Sequence, residues 1–260
     1  MLQLPRIEWF LLAAITALTA VLAAKLFWTG LFRTYRAFAA FLVFSVARVL
    51  LMGGVKFNAG QYMSFFMITE SVQLFLYVLM TMEFYGLIFR QYPGIRKVSQ
   101  YALAGALVAA TVISFLTLSA DMGDRARYTL SALDQFMIAE RGVVSSMVLL
   151  ILLMTAFLAY YPVPLPRNLV AHSAIFAVFF LSKSTLILYR NLTGASMDRV
   201  YSLAIMGVAG ACLCTWIAML RRSGEEAAVV VGHMWDRSEE QRLIAQLKGV
   251  NSALARLSRE

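Results

Sequence analysis

Charge is what this chain has least of: 14% of its 260 residues are Asp, Glu, Lys or Arg, against about a quarter in a water-soluble domain. Histidine and cysteine occur twice each and proline five times. His172 and His233 are far apart, no H-E-x-x-H is present and the cysteines do not cluster, so no metal site built from protein ligands is expected. Cys212 and Cys214 lie two residues apart in one apolar run. On a helix they face different directions and cannot bridge each other. Ser145-Ser146 and the polar run 182–185 have no base placed for a serine nucleophile and read as interhelical hydrogen-bonding groups. No catalytic constellation can be assembled, and neither a cofactor nor a metal is expected.

What the chain has in excess is apolar sequence: 61% of residues are hydrophobic and the mean hydropathy is +0.73. These residues come in blocks of about 20, the length that crosses hydrocarbon. The solvent for most of the chain is therefore lipid. A net charge of +9 could suggest nucleic acid, but the basic residues are dispersed over loop ends, a pattern that marks membrane edges facing anionic lipid. Nucleic acid is not an expected partner.

The pattern predicts an all-α, polytopic membrane helix bundle of seven transmembrane segments (residues 1–222) followed by a cytoplasmic tail (223–260). The segments read 9–31, 37–55, 61–89, 101–119, 142–161, 169–189 and 200–220. Trp9 and Trp28 are 19 residues apart, roughly 28 Å of helix, which puts one aromatic at each interface of the first segment. With no convincing cleavage site, that segment reads as a span and not as a signal peptide. Pro162, Pro164 and Pro166 stop the fifth segment, and Asn168 suits the N-cap of the sixth.

Seven spans put the termini on opposite sides. Arg33, Arg36, Arg90, Arg96, Lys97, Arg167, Arg221 and Arg222 fall on one side, and Arg6, Lys56, Arg125, Arg127, Arg190 and Arg199 on the other. Eight against six predicts an outside N-terminus and a cytoplasmic tail in a bacterial inner membrane. Asn191-Leu192-Thr193 then fits an outer-side glycosylation acceptor.

In the tail, residues 227–231 read as a short strand or an interfacial patch. Ser238 and Gln241 fit a capping box. Leu243, Leu247, Val250, Leu254 and Leu257 follow at heptad spacing. An amphipathic helix on the bundle or bilayer and a short coiled coil with a protein partner or a second copy both fit.

Charges inside spans cost about 2.5 to 3.5 kcal/mol each on insertion scales, so each needs a partner or a polar cavity. Arg48, Glu70 and Lys183 fall in one outer layer when depth is counted from helical rise. Gln73 and Tyr77 extend a polar stripe from Glu70 along one helix face. Two readings stay open: a pocket of net positive character for a small anionic or polar ligand, or an Arg48–Glu70 bridge that fixes packing while Lys183 snorkels. Glu83 falls at the inner interface near Arg33, Arg36 and Arg90, as a loop-anchoring salt bridge. Glu140 and Arg141 fall at the exposed outer rim.

Rhodopsins share the seven-segment plan, but the seventh segment has no lysine for a retinal Schiff base. The run Tyr35-Arg36-x-Phe38-x-x-Phe41-Leu42-x-Phe44-Ser45-x-x-Arg48, with Glu70, Glu83 and Tyr92-Pro93-Gly94, resembles a group of bacterial seven-helix membrane proteins with no assigned activity. The resemblance covers residues 35–94 and implies topology, not chemistry. The function expected from sequence is a non-enzymatic sensor, scaffold or complex subunit whose tail contacts a partner. A small-solute transporter using the Arg48/Glu70/Lys183 layer is the alternative, and a lipid-acting intramembrane enzyme the third.

Overall fold

The structure, a computed structural model, describes residues 6–55, 58–97, 101, 105, 108, 132–193, 198–231 and 236–257. The fourth apolar segment, 101–119, lies outside the described residues except at three positions, and so do the side chains of Leu257 and of residues 191–193. The long helices are α1 (Arg6–Thr29), α2 (Arg36–Gly54), α3 (Ala59–Ile88), α4 (Ala132–Tyr160), α5 (Arg167–Thr193), α6 (Asp198–Met219) and α7 (Arg237–Leu257). Five of them, α1, α2, α3, α5 and α6, are long and apolar enough to cross a membrane. Helix α4 carries a shorter apolar stretch, Gly142–Leu158.

Helices α1 to α6 each pack on the next in order, and α6 returns to α1, which closes a ring. Large apolar side chains point outward from it, among them Phe10, Trp28, Leu50, Ile68 and Phe75. A water-soluble ring would hide them; in lipid they cost nothing. The turn from α1 into α2 uses Gly30 at φ 75°, a left-handed conformation in which glycine has no Cβ to clash. Helix α3 begins two residues earlier than the sequence suggests. Asn58 Oδ1 accepts the Gln61 N–H (2.8 Å) while Gln61 Oε1 accepts the Asn58 N–H (3.2 Å), a reciprocal cap.

At the end of the ring that carries the tail, β1 (Val163–Pro166) pairs antiparallel with β2 (Ala228–Val231), Val163 opposite Val231 and Pro166 opposite Ala228. The Arg167 N–H donates to the Ala227 carbonyl (2.9 Å). Pro164 and Pro166 fall at the alternate positions, where an antiparallel ladder needs no N–H. The proline run that stops the preceding helix thus also makes a strand.

Asn168 does not sit at an N-cap, because α5 begins at Arg167. Its amide faces the chain leaving α6: Nδ2 donates to the Arg221 carbonyl (2.7 Å) and to Glu225 Oε1 (2.8 Å), and Oδ1 accepts the Arg221 N–H (3.2 Å). Tyr35 donates to the same Glu225 oxygen at 2.8 Å. Burial, and then the Glu225 charge, raise the Tyr35 phenol well above its ordinary pKa. This clasp leaves no room at Gly224, where a Cβ would lie 2.2 Å from Asn168 Oδ1. Gly224→Ala should therefore destabilise the protein by about 1 to 3 kcal/mol, as overpacking does. Gly249→Ala, with nothing within 4 Å and in a helix interior, should be neutral or slightly stabilising. Thermal unfolding of both variants in nanodiscs checks the contrast.

The tail helix begins one residue before Ser238. Asp236 precedes its first turn, accepting the Glu240 N–H at its carbonyl (2.9 Å) and the Ser238 hydroxyl at its carboxylate (3.1 Å); Asp serves this position as well as Ser. Leu243 and Leu247 are buried and Leu254 is partly buried against the core, but Val250 is 51% exposed. The heptad reading fails at that position because Asn251 takes its place on the packed face. Asn251 Oδ1 accepts the N–H groups of Gly94 (2.8 Å) and Ile95 (3.3 Å), at the start of the helical turn 93–97 that follows α3.

Candidate functional site

Inside the ring is a cavity of about 710 Å³. All six ring helices line it: Leu12 and Ile15 from α1, Phe41 and Met52 from α2, Phe66 from α3, Glu140 from α4, Phe179 from α5 and Ile205 from α6 are examples. Its walls are largely apolar and are crossed by one polar layer, with Met52 and Tyr62 to one side of it and Phe41 and Trp216 to the other.

The side chains of that layer are linked to one another. Arg48 Nη2 meets Glu70 Oε2 at 2.6 Å, and Arg48 Nη1 donates to Gln73 Oε1 at 2.5 Å. Gln73 Nε2 donates to the Tyr77 hydroxyl (2.8 Å). The Lys183 ammonium sits 4.9 Å from the centre of the Tyr77 ring and 2.7 Å from Glu140 Oε1. Glu70, Gln73 and Tyr77 reach one another because residues three and four apart share a helix face. Arg48 reaches them because α2 packs on α3.

Glu140 corrects the sequence reading twice. It lies 5% exposed inside the bundle instead of at the exposed outer rim, and it holds Lys183, which therefore does not snorkel. Two cations face two carboxylates, so the layer is balanced rather than positive. The sequence offered no periodic signal for Glu140, which comes from a helix far along the chain and is brought in by the packing of α4 on α5.

Glu83 meets the first turn of α2. Both its oxygens accept the Ala37 N–H (3.1 Å each), and Oε2 also lies 3.4 Å from the Phe38 nitrogen. It thus satisfies helix donors that would otherwise lack partners, in place of the expected pairing with an arginine side chain. Around it Arg33, Arg36, Arg90 and Arg96 line a shallow cleft.

His172 is fully buried. Tyr35, Phe38, Phe84, Phe176 and Trp216 surround it with ring centres 4.4 to 5.6 Å away. Neither of its ring nitrogens has a hydrogen-bond partner among the described residues. Those residues also contain no group of three or more His, Cys, Asp or Glu able to hold a metal ion.

The fold and this site define a mostly helical protein with five helices long and apolar enough to cross a membrane around an internal, charge-balanced cavity. Comparison with family models, with curated proteins and with solved structures finds no match in any of the three. The functional reading therefore rests on the geometry.

Proposed function

We propose that this chain is a non-enzymatic membrane sensor in which a ligand in the ring cavity biases the docking of the tail helix, and the tail meets a protein partner. One observation carries the reading: α3 is both a wall of the cavity, through Tyr62, Phe66, Glu70 and Tyr77, and the helix that leads into the Asn251 docking turn. At 30 residues it is roughly 45 Å long, enough to join events at the two ends. The surface that Val250 leaves exposed on the docked tail is available to a partner.

A filled cavity tests the coupling. Ala209 lines it, and Ala209→Phe, made in a chain carrying Leu247→Cys and lacking Cys212 and Cys214, should change the maleimide labelling rate of position 247 several-fold. An unchanged rate in a folded variant would count against a sensor. The alternative, a small-solute transporter, is favoured by the polar layer alone, and solute flux in proteoliposomes with no change at position 247 would support it instead.

In this reading the bundle has seven spans, with α4 and residues 101–119 joining the five helices above, an outside N-terminus and a cytoplasmic tail in a bacterial inner membrane. Ser238→Cys in the same cysteine-free background should resist an impermeant maleimide added to intact cells and react after lysis. Labelling from outside would overturn the topology.

A further inference from the structure

Helix α3 divides its side chains between two places. Met80, Phe84 and Ile88 are buried in the core of the ring. Leu79, Met82, Glu83, Gly86 and Leu87 are half-buried and line the shallow cleft at the tail-bearing end. Arg90, in the turn that continues the helix, lines it too. The spacing 79, 82, 83, 86, 87, 90 is that of one helix face, so a single stripe, roughly 16 Å long, floors the cleft. The cleft holds about 630 Å³ and shares no described lining residue with the ring cavity.

The stripe is apolar toward the middle of α3, at Leu79 and Met82, and basic at its end. There Arg33 and Arg36, from the turn into α2, and Arg96, from the docking turn, join Arg90. Arg96 is laid back over the floor: its Nη2 lies 3.5 Å from where a Cβ at Gly86 would stand. All four arginines are exposed, and among the described residues none is ion-paired with a carboxylate. The one carboxylate in the cleft, Glu83, is engaged by the N–H groups that begin α2. Four arginines against one carboxylate leave three positive charges in excess. Basic residues dispersed along a membrane edge would be enough to orient a chain; these converge from two separate segments on one cleft.

We propose that the cleft binds one anionic lipid whose head ends in a phosphate monoester, with the phosphate among the four guanidinium groups and the start of an acyl chain on Leu79 and Met82. Guanidinium forks match phosphate oxygens in bidentate pairs. A phosphate monoester carries about −1.5 to −2 charge at pH 7 and three acceptor oxygens, closer to the excess in the cleft than the single charge of a diester. The apolar part of the stripe selects a lipid over a soluble phosphate, which would leave Leu79 and Met82 uncovered. The cleft and the cavity are separate sites, so neither the sensor nor the transporter reading enters the assignment.

The test is native mass spectrometry of the full chain in mild detergent, titrated with phosphatidic acid, phosphatidylglycerol or phosphatidylcholine of identical acyl chains. One phosphatidic acid per chain should bind saturably, at least about tenfold more tightly than either of the others. Arg36→Gln combined with Arg90→Gln should weaken that binding at least about tenfold. Arg167→Gln combined with Arg222→Gln removes equal charge from the same end of the ring but outside the cleft, and should leave it unchanged. Gly86→Leu keeps every charge yet fills the floor beneath Arg96, and should also weaken binding. Thermal unfolding checks that each variant is folded, and inorganic phosphate in excess should not displace the lipid.

Equal losses in the two arginine pairs would reduce the effect to a general attraction between charges and overturn the site. Phosphatidylglycerol binding as tightly as phosphatidic acid would overturn the monoester assignment. Displacement of the lipid by an equal concentration of inorganic phosphate would make the ligand a soluble anion and overturn the lipid assignment. Full binding by a folded Gly86→Leu variant would show that the lipid sits elsewhere.

Discussion

Lys183→Met should lower the stability of the protein by about 3 to 5 kcal/mol, because it leaves Glu140 charged and alone inside the ring. The side chains of Lys183 and Glu140 are 7% and 6% exposed, so water cannot replace the lost partner. Glu140→Gln should cost a comparable amount by stranding Lys183, although the Tyr77 ring face gives that cation a residual attraction. The double substitution should cost less than the sum of the two, with a coupling energy of about 0.5 to 3 kcal/mol. For Arg48→Met and Glu70→Gln the single losses should be smaller, since those side chains keep 13% and 14% exposure. Thermal unfolding in nanodiscs measures both cycles. Additive losses at the Lys183–Glu140 pair would mean that the two charges do not depend on each other.

Gly94→Ala should release the tail helix while leaving the bundle folded. A Cβ at position 94 would lie 2.3 Å from the Asn251 carbonyl oxygen and 2.8 Å from the Ala255 nitrogen. Both are backbone atoms of α7, which no side-chain rotation can move. The helix must back away, losing the two hydrogen bonds to Asn251 Oδ1 and uncovering Leu243 and Leu247. Limited proteolysis should then cut within 236–257 at least about tenfold faster than in the unaltered chain, the change that a docking loss of only about 1.4 kcal/mol would give. Asn251→Ala should move in the same direction but less far, because it removes the bonds without forcing a clash. Unchanged protection in Gly94→Ala would show that the tail is held by something other than this contact.

Five of the seven expected spans were legible in the sequence because apolar blocks of membrane length need no partner to be recognised. The polar layer was legible in part. Arg48, Glu70, Gln73 and Tyr77 lie on two consecutive helices, and their shared depth follows from counting rise. Glu140 was read at the wrong depth because the beginning of α4 cannot be found from hydropathy: Glu140 and Arg141 interrupt the apolar run, while the helix itself starts at Ala132. Long-range placement decided the remaining differences. Heptad counting takes Val250 and passes over Asn251, since a hydrogen bond to a turn 156 residues away leaves no mark on local periodicity.

The pairing of β1 with β2 bears on how the chain is made. Val163 and Val231 are partners but are 231 − 163 = 68 residues apart in sequence, so at 5 to 20 residues per second the first strand waits roughly 3 to 14 s for the second to leave the ribosome. During that interval α5 and α6 must both be synthesised, because they are the whole of the chain between the strands apart from short links. The two-stranded ladder is thus a late latch. It can form only after the last apolar helix has been made, and the tail that follows β2 leaves the ribosome later still.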